Sequence, residues 1–392
     1  MKFPTLYKLT SSGKIQTWTI LTEENKIIVI QGQLGGKKQR YEETIKEGKN
    51  IGKENETTAI QQAEAEAKSK WEKKHNKDYH LTIEECNTKT KIANLGGYLP
   101  MLAQSYQKHA ERHLTYPCYI QPKLDGLRCI ATKTDNNVQL WFRSGKEITT
   151  MRHIVDELDL IMYNEEILDG ELYIHNEDFN SFTGAIRANK NLNSDMTEKI
   201  KYHIYDFPRI GKFVETDSYR ERRWVLSDYM KGKKIKHLVN VDTKMVNNFE
   251  EALTCYKQYI EDGYEGIMFR NIDMSYEQKR SYNLLKYKEF IDDEFIIISA
   301  EEGKGSLAGH VGAFVCKIEA NRILKDIGGK TFKFGETDGT IKAKMDGKTE
   351  YLKQLYENPN EYMNKPLTIS YQNLSKDGIP RFPVGKSIRF DK

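Results

Sequence analysis

The stretch Lys123-Leu124-Asp125-Gly126-Leu127-Arg128 governs the reading of this chain. A lysine amine can attack the α-phosphate of a nucleoside triphosphate, expel pyrophosphate and hold the nucleoside monophosphate as a phosphoramidate. On an extended segment Lys123 and Asp125 point to one face. Gly126 then lets the backbone pass close to a ligand or turn sharply before Arg128. The same six residues also suit a solvated hairpin, so the string by itself leaves both readings open.

Further segments follow in order: Phe142-Arg143-Ser144-Gly145, Leu168-Asp169-Gly170-Glu171-Leu172, His203-Ile204-Tyr205-Asp206-Phe207, Glu265-Gly266-Ile267-Met268 and Leu284-Leu285-Lys286-Tyr287-Lys288. Their order and types resemble the signature series of the ATP-dependent DNA ligases. These belong to the covalent nucleotidyltransferase superfamily, with RNA ligases and messenger-RNA capping enzymes. Arg381-Phe382-Pro383-Val384 and Ile388-Arg389-Phe390-Asp391-Lys392 look like the final signature of the same family. One six-residue match is cheap, whereas a series in the family's order is specific. The Phe-Arg-Ser-Gly and Arg-Phe-Pro patterns favour a DNA ligase over an RNA ligase or a GTP-using capping enzyme. A more distant rival is a non-catalytic DNA-end clamp on the same scaffold.

The resemblance implies an α+β chain. A nucleotidyltransferase (adenylation) domain of antiparallel sheets and helices, flanking a cleft, is expected over 99–292, and a C-terminal OB-fold barrel over 293–392. It also implies three steps: Lys123 takes AMP from ATP, AMP passes to the 5′-phosphate at a nick in duplex DNA, and the 3′-hydroxyl displaces AMP. ATP is expected in place of NAD⁺ because the chain lacks the cysteine zinc site and further C-terminal modules of NAD-dependent enzymes.

A free lysine amine has a pKa near 10.4, so nearby cations and desolvation must favour the neutral form of Lys123. Lys286 and Lys288, two apart on a strand, supply that field and meet the triphosphate in the family's pattern. With Asp125, expected to assist metal or nick chemistry during sealing, they complete the predicted catalytic set. Glu171 and Glu265 are hard oxygen ligands suited to Mg²⁺, which neutralises departing pyrophosphate. By the resemblance Glu171 approaches ribose and metal, and Glu265 holds a metal position. Tyr205 is placed against the adenine, with Ile267 and Met268 covering the other side. Arg128 is expected at the ribose. Arg143 is expected to meet nucleotide and, with Ser144, DNA. Arg389 and Lys392 are expected to come from a mobile barrel to orient pyrophosphate. Without the shared order, a core tyrosine, two surface lysines and a pair of Glu-Gly turns would account for several of these residues.

Composition frames this reading without naming it. With 392 residues and 38% hydrophobic content, the chain has material for two or three domains. The formal net charge is +4, and Met1 to Leu95 carry as large a basic excess as the whole chain. Five scattered cysteines with no Cys-x-x-Cys pair suggest neither a zinc site nor a disulfide framework. No run of 18 apolar residues and no signal-peptide core is present, so a soluble, intracellular, monomeric protein is expected.

Residues 1–80 read as a small α+β module. Gln16–Ile20 and Ile27–Ile30 alternate as strands, the turn from Gly32 to Arg40 is basic, and Thr57-Thr58 offers an N-cap. The helix that follows is predicted to bury Ile60, Ala63, Ala67 and Trp71. The module resembles WGR-type domains of nucleic-acid enzymes, with Gly35-Gly36-Lys37 replacing the name-giving tripeptide. Lys37, Lys38 and Arg40 are its expected phosphate contacts. Residues 81–98 are predicted to be a linker.

Overall fold

The computed structural model describes residues 1–392 except 11, 53, 76–78, 89–97, 188–193, 211–217, 234, 305–306, 376 and 391–392. Near the N-terminus, alternating apolar residues build an antiparallel meander: β1 (Leu6–Leu9), β2 (Ile15–Glu23), β3 (Lys26–Gln33) and β4 (Lys38–Thr44). Helix α1 (Ala59–His75) packs Ala63 and Ala67 against Leu6, Trp18, Ile20 and Ile27. Its start is capped as the threonines foretell, Gln61 N donating to Thr58 Oγ1 at 3.2 Å. Ile60 departs from the expected stripe and is 49% exposed. The two alanines let the helix lie close to the sheet, which centres its buried face on them and leaves Ile60 at the rim. Trp71 is half-buried and donates to Pro4 O at 2.8 Å. Within the predicted linker, α2 (Ile83–Thr88) forms and packs on β1, burying Cys86. Residues 89–97 of that linker lie outside the described residues.

The next region supplies β5 (Leu102–Ser105), α3 (Tyr106–His113), β6 (Cys118–Lys123), β7 (Leu127–Thr134), β8 (Asn137–Phe142), α4 (Arg152–Ile161) and β9 (Ile167–Tyr173). It continues with α5 (Phe179–Arg187), α6 (Ser194–Lys199), β10 (Lys201–Arg209), α7 (Tyr219–Met230), β11 (Leu238–Asn240), β12 (Lys244–Val246), α8 (Phe249–Glu261), β13 (Gly266–Arg270) and β14 (Arg280–Tyr287). These strands form two five-stranded sheets, β11-β10-β9-β7-β8 and β12-β6-β13-β14-β5. Each sheet is mixed, a correction to the antiparallel expectation: β11 runs parallel to β10, and β5 to β14. Both are edge strands reached by long connections instead of hairpins, which frees their direction.

Helices cover the outer faces. Ile154, Leu158, Phe182 and Leu226 pack on the first sheet, and Ala252, Tyr256 and Tyr259 on the second. Between the inner faces, Tyr98, Met101, Ile130, Ile167, Tyr276 and Leu284 form a small apolar floor beneath a cleft.

The C-terminal region contains β15 (Ile291–Glu302), β16 (Val311–Ile318), β17 (Ile323–Lys325), β18 (Thr331–Lys333), β19 (Gly339–Met345), α9 (Thr349–Glu357), β20 (Pro366–Tyr371) and β21 (Val384–Ile388). Five of these strands close a barrel, β15-β16-β19-β21-β20. Closure leaves no unpaired edge and encloses Phe295, Phe314, Ile341, Leu367 and Ile369. The barrel's first strand starts at Ile291, slightly before the predicted boundary.

Candidate active site

Strand pairing assembles the site from distant segments. Lys123 ends β6 opposite Gly266 of β13, and Met268 of β13 lies opposite Lys286 of β14. Glu265 N donates to Lys123 O at 3.0 Å. The Glu265 carboxylate lies between two ammonium groups, Lys123 Nζ on Oε2 and Lys288 Nζ on Oε1, the latter at 2.6 Å. Burial pushes this carboxyl upward, but the charges of Lys123 and Lys288 outweigh it and hold the group below its ordinary value. Lys286 is pushed down by burial and then by Lys123 and Lys288. Three lysines around one carboxylate leave a positive field suited to a polyanion.

Across the cleft, Arg128 donates through Nε to Asp169 Oδ1 at 2.6 Å and through Nη2 to Asp169 Oδ2 and Met101 O. Asp169 is fully buried and also accepts from Tyr276 OH at 2.6 Å. The Tyr205 ring lies 4.9 Å from the Arg128 guanidinium and 5.4 Å from that of Arg270, and its hydroxyl donates to Glu171 Oε2 at 3.3 Å. Burial pushes Glu171 up to about 7 against the opposing pull of Arg128 and Lys123. Gly126 is required where β7 begins: a Cβ there would lie 2.5 Å from Leu172 O and 2.7 Å from Glu171 Cγ. Between the two walls is a cavity of about 250 Å³, whose lining includes Lys123, Arg128, Arg143, Glu171, Tyr205 and Lys286.

Several expected residues lie elsewhere. Ile267 is fully buried among Cys118, Ile120, Phe269 and Leu285, on the face of β13 turned from the cleft. Strand alternation sends Met268 and Arg270 to the cavity instead. Ile267 is therefore corrected from a nucleotide contact to a core residue. Arg389 Nη1 pairs with Glu294 Oε1 on β15 at 3.0 Å and, in this position of the barrel, does not line the cavity. Lys392 lies outside the described residues. From the same C-terminal signature it is Arg381 that reaches the site, Nη1 standing 2.7 Å from Asp125 Oδ2.

Arg143 and Ser144 are both exposed on the turn after β8, with Arg143 at the cavity edge. In the N-terminal module Lys37 is exposed. Lys38 Nζ donates to Thr17 Oγ1 at 2.6 Å and Gln33 O at 2.8 Å, and Arg40 pairs with Glu42 at 2.7 Å. Sequence reasoning missed Gln121, Arg270 and Arg280 at the cavity. Arg280 carried a signal, a basic residue at the head of the strand bearing Lys286. Gln121 and Arg270 carried none.

A family model for the ATP dependent DNA ligase domain matches residues 100–288, and one for the DNA ligase OB-like domain matches residues 302–389. The chain belongs to the ATP-dependent DNA ligases. The ligase is 27% identical to the DNA ligase of African swine fever virus (isolate Tick/South Africa/Pretoriuskop Pr4/1996), over 96% of this chain and 92% of that protein. It is also 27% identical to the DNA ligase of Enterobacteria phage T4, over 79% and 73%. Among solved structures, Pmar-Lig matches with a TM-score of 0.62 at 21% identity, covering 78% of this chain and 71% of that one. A Lig E DNA ligase matches with a TM-score of 0.57 at 20% identity, covering 74% and 98%. These likenesses establish a shared fold. The ligase uses ATP to seal nicks between 5′-phosphate and 3′-hydroxyl ends through a lysyl-AMP intermediate, and no helix among its described residues is long and apolar enough to cross a membrane.

Proposed function

We propose that Lys123 is the nucleophile and that the lysine-rich wall of the cleft binds the triphosphate while the Tyr205 wall receives the nucleoside. The observation that carries this reading is Lys123 in contact with Glu265 at a cavity that also presents Lys286, Glu171 and Tyr205. Nζ of Lys123, having given its ammonium proton to water, bonds to the α-phosphorus as the bond to pyrophosphate breaks. Lys286 and Lys288 stabilise charge on the departing oxygens. A 5′-phosphate oxygen then displaces Lys123 from AMP, and the 3′-hydroxyl oxygen attacks that 5′-phosphorus, expelling AMP. Each step breaks one phosphorus bond as it forms another.

Mg²⁺ fits this donor set: Glu171 lines the cavity beside Lys123 and Glu265 is in contact with Lys123, and both would offer hard oxygen ligands. Among the described residues no group of three or more His, Cys, Asp and Glu could hold a metal by itself, so phosphate oxygens and water would have to supply its remaining ligands. When bound, the ion neutralises charge on the triphosphate. The partner is nicked duplex DNA met by a monomer, in replication, repair or recombination, in the cytoplasm. Residues 1–80 serve as a WGR-like module that contacts DNA phosphates through Lys37, with Lys38 and Arg40 contributing if their present partners are exchanged.

The test is incubation with ATP or GTP labelled on the α-phosphate, followed by nicked DNA or nicked RNA and peptide mapping of the label. Label from ATP on the Lys123 peptide, discharged by nicked DNA, is expected. Label on a different lysine, or discharge only by RNA, contradicts the reading.

A further inference from the structure

A ring of buried polar groups joins the two walls of the cleft. Arg270, on β13, donates through Nε to Gln121 Oε1 and through Nη1 to Asp206 Oδ2, both at 2.8 Å. Gln121 stands two residues before Lys123 on β6, and Asp206 follows Tyr205 on β10. Gln121 closes the ring, its side-chain amide donating to Tyr205 O at 3.4 Å and to Thr243 Oγ1 at 2.9 Å. Gln121, Asp206 and Arg270 are all buried.

Each member of the ring has little freedom. Asp206 also accepts from Arg222 Nε of α7 at 2.7 Å and from Phe207 N at 2.9 Å. Thr243 Oγ1 donates in turn to Val241 O at 3.0 Å, which leaves its oxygen to accept from Gln121. The Arg270 guanidinium lies 5.4 Å from the centre of the Tyr205 ring and 4.6 Å from that of Tyr219. Strands β6 and β10 belong to different sheets, so these side chains span the gap between them. A guanidinium serves both partners at once because its donors form a fixed planar fork, whereas a lysine ammonium is a single point charge.

That gap matters to the chemistry. A nucleoside triphosphate bound as proposed above reaches from the Tyr205 wall to Lys123 Nζ, so a shift of one wall against the other displaces the α-phosphorus from the amine. Misplacement by about 1 Å costs on the order of 10²-fold in rate. We infer that Arg270 is a positioning residue for enzyme adenylation: by holding Asp206 and Gln121 together it sets the distance between the nucleoside wall and Lys123. This rests on the assignment of Lys123 as nucleophile and of Tyr205 to the nucleoside. Arg270 also lines the cavity, so direct contact with the nucleotide is the competing role. Thr243 separates the two, because it anchors Gln121 without itself lining the cavity.

The variant Arg270→Lys keeps the charge beside Asp206 and loses the fork, and Thr243→Val keeps the side chain's shape and removes the acceptor for Gln121. Enzyme-AMP formation is followed in single turnovers over a range of ATP concentrations for both variants and for the double variant, each with a thermal melt. At saturating ATP, Arg270→Lys is expected to slow labelling by roughly 10- to 100-fold. Thr243→Val, through loss of one hydrogen bond, is expected to slow it by about 2- to 10-fold. The double variant is expected to lie within about twofold of Arg270→Lys alone, since both changes act through Gln121. The half-saturating ATP concentration should stay within about threefold of the parent's, as befits an interaction that acts on placement.

Labelling at the parent's rate by folded Arg270→Lys overturns the inference. So does a loss confined to the half-saturating ATP concentration, which marks direct contact with the nucleotide, and so do effects that multiply in the double variant. If Arg270→Lys does not fold, Thr243→Val decides alone, and the parent's rate in that protein overturns the inference. A parent enzyme that carries the label on another lysine instead overturns the nucleophile assignment, so the two failures are distinct.

Discussion

Tyr205 shows how one side chain links several parts of the site. Its ring lies near the Arg128 and Arg270 guanidinium groups, its hydroxyl is on Glu171, and its carbonyl accepts from Tyr219 OH at 3.0 Å. Stacking of a base on an aromatic face contributes about 1–3 kcal/mol by alanine substitution. Tyr205→Ala is accordingly expected to raise the KM for ATP by roughly 5- to 150-fold in steady-state kinetics, with much of the rate regained at high ATP. A KM equal to the parent's would remove the ring from the nucleotide site. His203, two residues away on β10, offers a pH test. Burial first, then the charges of Lys201 and His175, lower it to about 4. The unfolded chain takes up this proton near pH 6.5 and the folded chain does not, so the stability contribution is full above pH 6.5 and declines as pH falls toward 4. Between pH 7 and 5 the decline amounts to about 2 kcal/mol. Urea titrations at the two pH values should show His203→Gln losing less stability than the parent by this amount.

At the scale of elements, β13 explains both what the sequence disclosed and what it hid. The run Glu265 to Met268 could be placed in order along the chain, and with it the partners Lys123 and Lys288. Which of Ile267 and Met268 faces the nucleotide was illegible, because β13 is covered on both faces and its apolar run lacks the alternation that marks a half-solvated strand. Helix α2 was hidden for another reason: six mostly polar residues are too short to establish a period. Arg270 and Gln121, 149 positions apart in sequence and 2.8 Å apart in space, meet only through β6–β13 pairing. The motif-bearing turns and the short strands of the barrel were legible because glycine punctuation and alternation agree there. The face assignment on β13 is directly testable. Ile267→Ala is expected to cost about 2–5 kcal/mol in denaturant unfolding with little change in KM for ATP. Met268→Ala is expected to raise that KM while costing less stability. The reverse pattern would place the nucleotide on the other face.

For the whole molecule, the barrel touches both other parts of the chain. It meets the nucleotide-binding region through Arg381 and Gln372, and the N-terminal module through Lys304, whose ammonium lies 2.7 Å from Glu43 Oε1. Glu43 is also paired with Lys70, and the two lysines outweigh the upward push of burial on its carboxyl. Removal of residues 1–80 is expected to leave adenylation of Lys123 nearly intact and to weaken binding to nicked DNA. The log affinity versus log salt plot should flatten by about 0.9 for each DNA phosphate that the module had neutralised, or roughly 2.7 for three. An unchanged slope in a protein shown to be folded would give the module a role other than clamping DNA. The central claim concerns Lys123 itself, and the most direct measurement follows label from α-phosphate-labelled ATP in a Lys123→Ala protein, beside sealing of a nick adenylated beforehand. The account predicts no enzyme-AMP and retained sealing, since the last step needs no lysine nucleophile. Enzyme-AMP formed at the parent's level would contradict it.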